Sequence, residues 1–291
     1  MDLNQLIILK NYKLPNKIKY LKKNQIKLIG KGNHGSIFSY NFNNKKILVK
    51  ITKRWVKDFI YTNKKNTLIT EGNLNELVML ILFQNNIFSQ KLYGYNYNQN
   101  SFYIFKEYNE LSTIDYFKDK NSDYDIKILI IILLFVGLHQ LFQSKNKGFH
   151  HDFRLRNSVV KKTNLKEIKI KINNKNYIIP IKKYMPVLID FELSRILNID
   201  SKKCLIKQNY WEKNLIFKTE YLYYNYNNYH DLNFFYEYEF IRKDSEGQGK
   251  IIPKEIFYLM SDIVDNYGKT NLNLENILNH KILSKIIKIE N

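Results

Sequence analysis

Residues 150–157 read HHDFRLRN and follow a long apolar segment, and a second acidic stretch, LIDFE, has Asp190 at its centre. Phosphoryl transfer requires a carboxylate that orients and deprotonates a hydroxyl, oxygen ligands for Mg²⁺, and cations near the moving phosphoryl group. Asp152 is a candidate base, and Asn157 and Asp190 carry hard oxygen ligands of the kind that Mg²⁺ takes. Arg154 supplies positive charge. This pattern alone is weak, because ordinary surface residues can produce it, so the rest of the chain must decide.

Length and composition bound the class of protein. The 291 residues suffice for one two-lobed unit or two small domains, and a hydrophobic content of 44% is typical of a chain with a sizeable core. The single cysteine, Cys204, excludes an internal disulfide framework and a cysteine zinc site, which favours a reducing, cytoplasmic location. The apolar patch 3–9 lacks the basic front of a signal peptide. The strongest apolar run, 128–138, is too short to span a bilayer and predicts a buried helix, so we expect no membrane span.

The chain is strongly basic. Its net charge is +20, and the first 65 residues hold 16 Lys or Arg against 2 acidic residues. Such a surface can attract nucleic acid or anionic lipid. The chain also has no alanine and is rich in Asn, Lys, Ile and Tyr, which is typical of an AT-rich genome in which lysine accumulates by codon bias. Nucleic acid is therefore not favoured as the main partner, although a pure nucleic-acid binder remains an alternative.

A glycine-rich segment follows a leader that we assign to residues 1–24. Alternating apolar positions predict a strand, a glycine loop, a second strand, a turn and a third strand. A dinucleotide-binding unit requires a helix after this glycine spacing, whereas here a strand follows and the next strand carries Lys50. That context favours a hairpin lid over ATP phosphates, with Lys50 reaching the first two phosphates. The predicted lid residues are the three glycines of G-x-G-x-x-G and the residue that caps the adenine ring: Gly30, Gly32, Gly35 and Ile37.

Residues 68–84 have helical spacing and offer two candidate partners for Lys50, Glu71 and Glu76. Glu76 fits better when the distance is measured back from the following strand. A solvated helix face explains either glutamate equally well if it is taken alone. A strand then ends in a polar connector, where a hinge between two lobes would fall and where backbone groups of Glu107 to Asn109 would meet the adenine edge.

The second half of the chain predicts a hydrophobic helix over 125–144, which leads into HHDFRLRN, and a β-hairpin insertion over about 161–186. The segment from 161 to 183 carries eight lysines and one glutamate, and a solvated edge ribbon is favoured over a docking surface. Residues 227–240 predict a buried helix whose Asp231 braces the 150–157 loop. Further amphipathic helices are predicted at the end of the chain, over 254–267 and 273–287.

Taken in order, these residues resemble the eukaryotic-type protein kinases over roughly 26–285. The hairpin and its return strand are similar to those of the serine/threonine protein kinases of large nucleocytoplasmic DNA viruses, which implies a viral protein acting in the host cytoplasm. The resemblance implies an α+β, two-lobed, protein-kinase-like fold. It has a small antiparallel β N-lobe with one helix over 25–107 and a larger, mainly helical C-lobe over 108–291. The residues that carry the resemblance are Gly30, Gly32, Gly35, Lys50, Glu76, Asp152, Asn157 and Asp190.

The resemblance also implies roles. Asp152 is the catalytic base, Arg154 takes the place of the catalytic-loop lysine, and Asn157 and Asp190 hold Mg²⁺, with Mn²⁺ as a substitute. Lys50 and Glu76 form the ion pair that positions the phosphates of ATP, while Ile37, Glu107 and Asn109 bind the nucleotide. The implied reaction transfers the γ-phosphoryl group of ATP to a serine or threonine hydroxyl of a protein substrate.

Four departures from the family pattern keep other functions open. His151 replaces the usual arginine beside the base, Glu192 replaces the glycine of the metal-binding triplet, and Lys106 stands where a middling apolar residue usually limits the pocket. No Ala-Pro-Glu anchor follows. Asp-Phe-Glu also occurs in relatives that phosphorylate small molecules, so an aminoglycoside- or choline-kinase type of enzyme is one alternative, and a catalytically dead nucleotide-binding scaffold is another. The sequence carries no feature that specifies an oligomeric state.

Overall fold

The computed structural model describes residues 26–32, 35–42, 45–53, 72–97, 101–109, 111–143, 148–150, 152–196, 230–241 and 249–290. The predicted leader, Glu71 and His151 lie outside the described residues. The chain is mixed α+β, and the sheets within each of its units are antiparallel, as the fold class predicts at this level. Two compact units divide the described residues: the first runs to Tyr108 and resumes at Phe191, and the second runs from Asn109 to Asp190 and resumes at His230.

The elements that the structure describes in the first unit are β1 Ile26–Gly32, β2 Gly35–Phe42, β3 Lys45–Lys53, α1 Gly72–Leu82, β4 Leu92–Tyr97 and β5 Ser101–Glu107. The strands form one sheet in the order β1-β2-β3-β5-β4. Ile47, Val49 and Phe105 form a buried cluster on one face of this sheet. Gln84 joins the end of the helix to β4, because its side-chain amide both donates to the carbonyl and accepts from the N–H of Leu92 at 3.0 Å.

The described residues of the second unit combine helices with two small sheets. One has the strand order Tyr184–Leu188, Ser158–Lys162, Leu111–Ser112, and the other has the order Lys288–Glu290, Lys175–Pro180, Glu167–Ile172. The elements up to residue 196 are β6 Leu111–Ser112, α2 Thr113–Lys118, α3 Tyr124–Leu138, β7 Gly148–Phe149, β8 Ser158–Lys162, β9 Glu167–Ile172, β10 Lys175–Pro180, β11 Tyr184–Leu188 and, in the part of the chain assigned to the first unit, β12 Arg195–Ile196. The later elements are α4 His230–Tyr236, α5 Lys254–Tyr267, α6 Leu274–Leu278 and β13 Lys288–Glu290.

The central helix α3 forms the core of the second unit. Asp123 begins it by accepting the backbone N–H groups of Asp125 and Ile126, and every residue from 128 to 138 is buried. A π-helical turn, His139–Gln143, continues it. The resulting run Tyr124–Phe142 has 19 residues and is long and apolar enough to cross a membrane by those two criteria, but 72% of its most apolar window is buried inside the protein. The helix and its π-helical turn thus cover nearly the predicted range 125–144, and the apolar run is buried as predicted.

The predicted hairpin is present. Strands β9 and β10 pair in antiparallel register around a turn at Asn173, which has a positive φ of 52°. The hairpin also receives a third strand, because β13 at the end of the chain pairs with β10. The prediction of one helix over 273–287 is wrong. Asn279 ends α6, the backbone is extended at His280, and a 3₁₀ turn follows in which the imidazole of His280 accepts the N–H of Ile282.

Candidate functional site

A row of directly opposed residues crosses the sheet of the first unit. Gly30 pairs with Ile37, Ile37 pairs with Lys50, and Lys50 pairs with Ile104. Directly opposed residues of antiparallel strands point to the same face, so Ile37 and Ile104 flank Lys50 on one face of the sheet. The structure therefore brings the residue predicted to cap the adenine ring next to the predicted phosphate-binding lysine.

The predicted glycine lid consists of the end of β1 and the start of β2, where Gly32 opposes Gly35. A methyl group on Gly35 would lie 2.6 Å from the carbonyl oxygen of Ile51 and 2.6 Å from the Thr52 side chain, so packing against β3 already requires glycine there. A methyl group on Gly30 would meet nothing within 4 Å. Packing of the described residues therefore requires glycine at Gly35 but does not by itself require it at Gly30.

A buried ion network surrounds Lys50. Its ammonium lies 2.7 Å from Oε2 of Glu76, a residue of α1, so the pairing expected of Glu76 is present. The other oxygen of the same carboxylate, Oε1, lies 2.5 Å from the ammonium of Lys106. Glu76 is 1% exposed and both lysines are buried. Each oxygen of Glu76 is therefore paired with a different lysine.

Glu192 also pairs with Lys50, through its Oε1. Glu192 lies in a 3₁₀ turn, Phe191–Leu193, that belongs to the first unit, and Phe191 anchors this turn by packing edge-on against Phe83 with ring centroids 5.6 Å apart. Lys50 consequently donates to two carboxylates. Glu192, which stands where the resembled kinases have glycine, therefore pairs with Lys50, the lysine predicted to bind phosphate.

The charge state of Glu76 follows from this network. Burial raises the pKa of its carboxyl group, but Lys106 and then Lys50 more than offset that effect, and the pKa falls to about 2. Glu76 is thus ionised at neutral pH although it is buried.

The predicted adenine edge lies at the end of β5. The backbone N–H of Glu107 donates to the carbonyl of Lys91 at 2.8 Å, and its carbonyl accepts the side chain of Gln90 at 2.7 Å. The N–H and the carbonyl of Glu107 therefore both bind groups within the first unit. Asn109 begins the second unit, and its side-chain Nδ2 is buried without a hydrogen-bond partner among the described residues.

The loop of the second unit gathers three of the predicted residues. Arg154 donates to Oδ2 of Asp152 at 2.6 Å through Nη2, and its Nε lies 2.5 Å from Oδ1 of the same carboxylate. The Asn157 side chain donates to Oδ2 of Asp152 at 2.7 Å and to its backbone carbonyl at 2.8 Å. Burial lowers the pKa of Arg154, but the hydrogen bond and charge of Asp152 outweigh burial and raise it. The Asp152 carboxylate is therefore fixed in direction and balanced in charge.

Asp190 follows the strand that pairs with the loop's own strand. Ser158 opposes Leu188 at the end of the β8–β11 pair, and one residue further the N–H of Ile189 donates to the carbonyl of Asn157 at 3.0 Å. Asp190 then adopts a φ of 64°, a left-handed conformation that is uncommon for residues other than glycine. Such conformations often occur at functional sites. Asn157 and Asp190, the predicted metal ligands, thus leave the same end of one ribbon.

Two buried carboxylates hold the backbone of this loop. Asp231 accepts the N–H of His150 at 2.8 Å, as the sequence predicted. Glu239 accepts the N–H of Leu155 at 2.8 Å, which the sequence did not predict. His150 is itself buried, and its Nε2 lies 3.0 Å from the carbonyl of Ile189. The backbone of the loop is therefore held on both sides of Asp152, which restricts the movement of the Asp152 carboxylate.

Sequence reasoning missed three contacts of the site: Glu239 with the loop, Lys106 with Glu76, and Glu192 with Lys50. The contact of Lys106 could have been inferred from the sequence. A lysine directly follows the apolar run FYIF of β5, and a buried lysine requires a carboxylate partner. Glu239 lies in a π-helical turn, Glu237–Ile241, whose acidic residues alternate with aromatic ones and give no such signal.

Comparisons with known proteins add no family. The chain matches no protein-family model and no curated protein.

Proposed function

We propose that this protein is an ATP-dependent protein kinase that transfers the γ-phosphoryl group to a serine or threonine hydroxyl, on a two-lobed kinase-like fold. The observation that carries the proposal is the arrangement around Asn157. Its side chain binds the carboxylate of Asp152, and its carbonyl binds the residue next to Asp190. A candidate base and two candidate magnesium ligands therefore lie on one hydrogen-bonded stretch of backbone, and phosphoryl transfer uses residues of these three kinds.

The first unit supports the nucleotide part of the proposal. Lys50 is a buried ammonium on the same sheet face as Ile37, with open space above Gly30. A buried cation beside open backbone suits the phosphates of a nucleotide, since the low local dielectric strengthens its interaction with an anion. The kinase proposal requires that one triphosphate engages both Lys50 and Asp190.

The proposed chemistry is an in-line displacement. Asp152 accepts the proton of the substrate hydroxyl, the hydroxyl oxygen forms a bond to the γ-phosphorus, and the bond from that phosphorus to the bridging oxygen breaks to release ADP. Arg154 balances the carboxylate during the approach of the phosphates. Mg²⁺ or Mn²⁺, held by Asn157 and Asp190, would neutralise charge on the phosphate oxygens.

The test is transfer of labelled phosphate from ATP, with Mg²⁺ or Mn²⁺, to the protein itself and to basic and acidic protein substrates. A parallel panel of aminoglycosides and choline tests the small-molecule alternative. We expect label on a serine or threonine of a protein. Label on a small molecule instead would reassign the acceptor, and the absence of any transfer despite ATP binding would favour the inactive scaffold.

Asp152→Asn provides the decisive variant. It keeps the size of the side chain and its ability to accept from Asn157, but removes the base. General-base catalysis contributes about 10²–10⁴-fold, so transfer should fall by that factor while ATP binding persists. Asp265→Asn, at an exposed position of α5, is the matched control and should leave transfer unchanged. Transfer that survives in Asp152→Asn would refute the assignment of the base.

A further inference from the structure

The strand residue Lys106 is buried at the start of a chain of alternating charges. Its ammonium pairs with one oxygen of Glu76, the other oxygen pairs with Lys50, and Lys50 pairs in turn with Glu192. Lys106 and Lys50 lie on the same face of the sheet. Lys106 pairs across the strands with Leu48, which lies two residues before Lys50 on β3, and residues two apart on a strand point to the same face. Cations and anions therefore alternate along these four side chains.

This alternation of charges has a consequence for anion binding. An anion that binds Lys50 competes with two carboxylates, and a buried carboxylate that loses its cation is costly. Glu76 is 1% exposed and has no access to solvent that would compensate for such a loss. Because Lys106 has its own oxygen on Glu76, that carboxylate keeps a partner when Lys50 turns away.

We propose that Lys106 is a positioning residue: it holds Glu76 so that Lys50 can exchange the carboxylate of Glu192 for a phosphate of the nucleotide. The inference rests on the proposed nucleotide site and extends it to a residue at which the family pattern has an apolar side chain. Lys106 acts through Glu76 and Lys50 and need not touch the phosphates. Without Lys106, Oε1 of Glu76 would lose its cation, and the carboxylates of Glu76 and Glu192 would hold Lys50 more strongly.

The role predicts a selective effect on phosphate-bearing ligands. Lys106→Met should lower the affinity for ATP by about tenfold or more, equivalent to about 1.4 kcal/mol, while the affinity for adenosine changes much less. Lys106→Arg keeps the charge and should restore most of the ratio between the two affinities. Both ligands are measured by calorimetry on the full chain, and adenosine binding also reports that each variant is folded.

A second variant distinguishes this role of Lys106 from a direct contact between Lys106 and the adenine ring. In the Glu76→Gln background the carboxylate that Lys106 holds is gone, so adding Lys106→Met should not lower the ATP-to-adenosine affinity ratio further. The double variant removes one positive and one negative charge, so the net charge of these side chains does not change.

Each outcome decides something different. An unchanged ratio in Lys106→Met, equal loss of both ligands, or an undiminished effect in the Glu76→Gln background overturns the role of Lys106 while leaving ATP binding intact in the parent protein. A parent protein that binds no ATP overturns the proposed nucleotide site and this inference with it. The third outcome is a parent protein that binds ATP but transfers no phosphate, with variants that show the predicted ratios of ATP affinity to adenosine affinity. That result supports the role of Lys106 and counts against the kinase proposal alone.

Discussion

Gly35 lies so close to Ile51 on the neighbouring strand that a methyl group on it would come within 2.6 Å of the Ile51 carbonyl oxygen. That oxygen belongs to the backbone of β3 and cannot move without disturbing the sheet. Gly35→Ala should therefore destabilise the protein by about 1–3 kcal/mol, as overpacking of a close contact does. The measurement is the urea midpoint of unfolding.

Gly30→Ala is the matched comparison, because a methyl group there meets nothing within 4 Å. Its stability should stay within about 0.5 kcal/mol of the parent protein. Its ATP affinity should fall, since the added methyl group would occupy space that the proposed ligand uses. If Gly30→Ala binds ATP as the parent does, the open space above Gly30 is not part of the nucleotide site.

Asp231 supports the loop that carries Asp152. Asp231→Ala would leave the buried N–H of His150 without its acceptor, which costs about 1–3 kcal/mol. The turnover of phosphate transfer should also fall, because the loop loses its direction, while ATP affinity should remain near that of the parent. Asp265→Ala, on the exposed side of α5, is the control. Loss of ATP affinity in equal measure would instead assign Asp231 a general structural role.

Local patterns explain the parts of the fold that the sequence predicted. Alternating apolar residues and turn residues marked β1 to β3, and the turn at Asn173 marked the β9–β10 hairpin. The position of Glu76 relative to the next strand selected it as the partner of Lys50, and the two residues do pair. In each of these cases the deciding interaction is short-range or follows from the period of one element.

Long-range pairings explain the rest. Glu192 is 142 residues from Lys50 in the chain, and no periodicity of either segment indicates their contact. The segment 273–287 was predicted as one helix from its apolar spacing. The residues that follow it form β13, which pairs with β10. The choice between continued helix and added strand depends on the edge of the hairpin, which belongs to a distant part of the chain.

Glu192 should oppose the binding of anions to Lys50. Its carboxylate pairs with the Lys50 ammonium and would have to be displaced by a phosphate. Glu192→Gln removes the competing charge, so the affinity for ATP in the absence of divalent metal should rise by about fivefold, or about 1 kcal/mol. The measurement is calorimetric titration in the presence of a chelator, with Glu290→Gln, an exposed position of β13, as the control. An unchanged or weaker affinity would show that Lys50 is not the cation that ATP meets.

The low pKa of Glu76 links the stability of the protein to acid pH. Burial raises this pKa, but Lys106 and Lys50 outweigh burial and lower it from 4.5 to about 2 in the folded state. Since the folded pKa is below the unfolded one, the stabilisation is complete above about pH 4.5 and is lost as the pH falls towards about 2. The loss should be on the order of 3 kcal/mol in total.

The double variant Glu76→Gln with Lys106→Met removes this titration while keeping the remaining pair of Lys50 and Glu192 balanced. Its urea midpoint should therefore decline less steeply with acidification than that of the parent protein, whereas Asp265→Asn should follow the parent. Parallel curves for the parent and the double variant would mean that Glu76 titrates alike in the folded and unfolded states. That result is incompatible with a buried carboxylate held by two lysines, because such a carboxylate must release its proton more readily when the chain is folded.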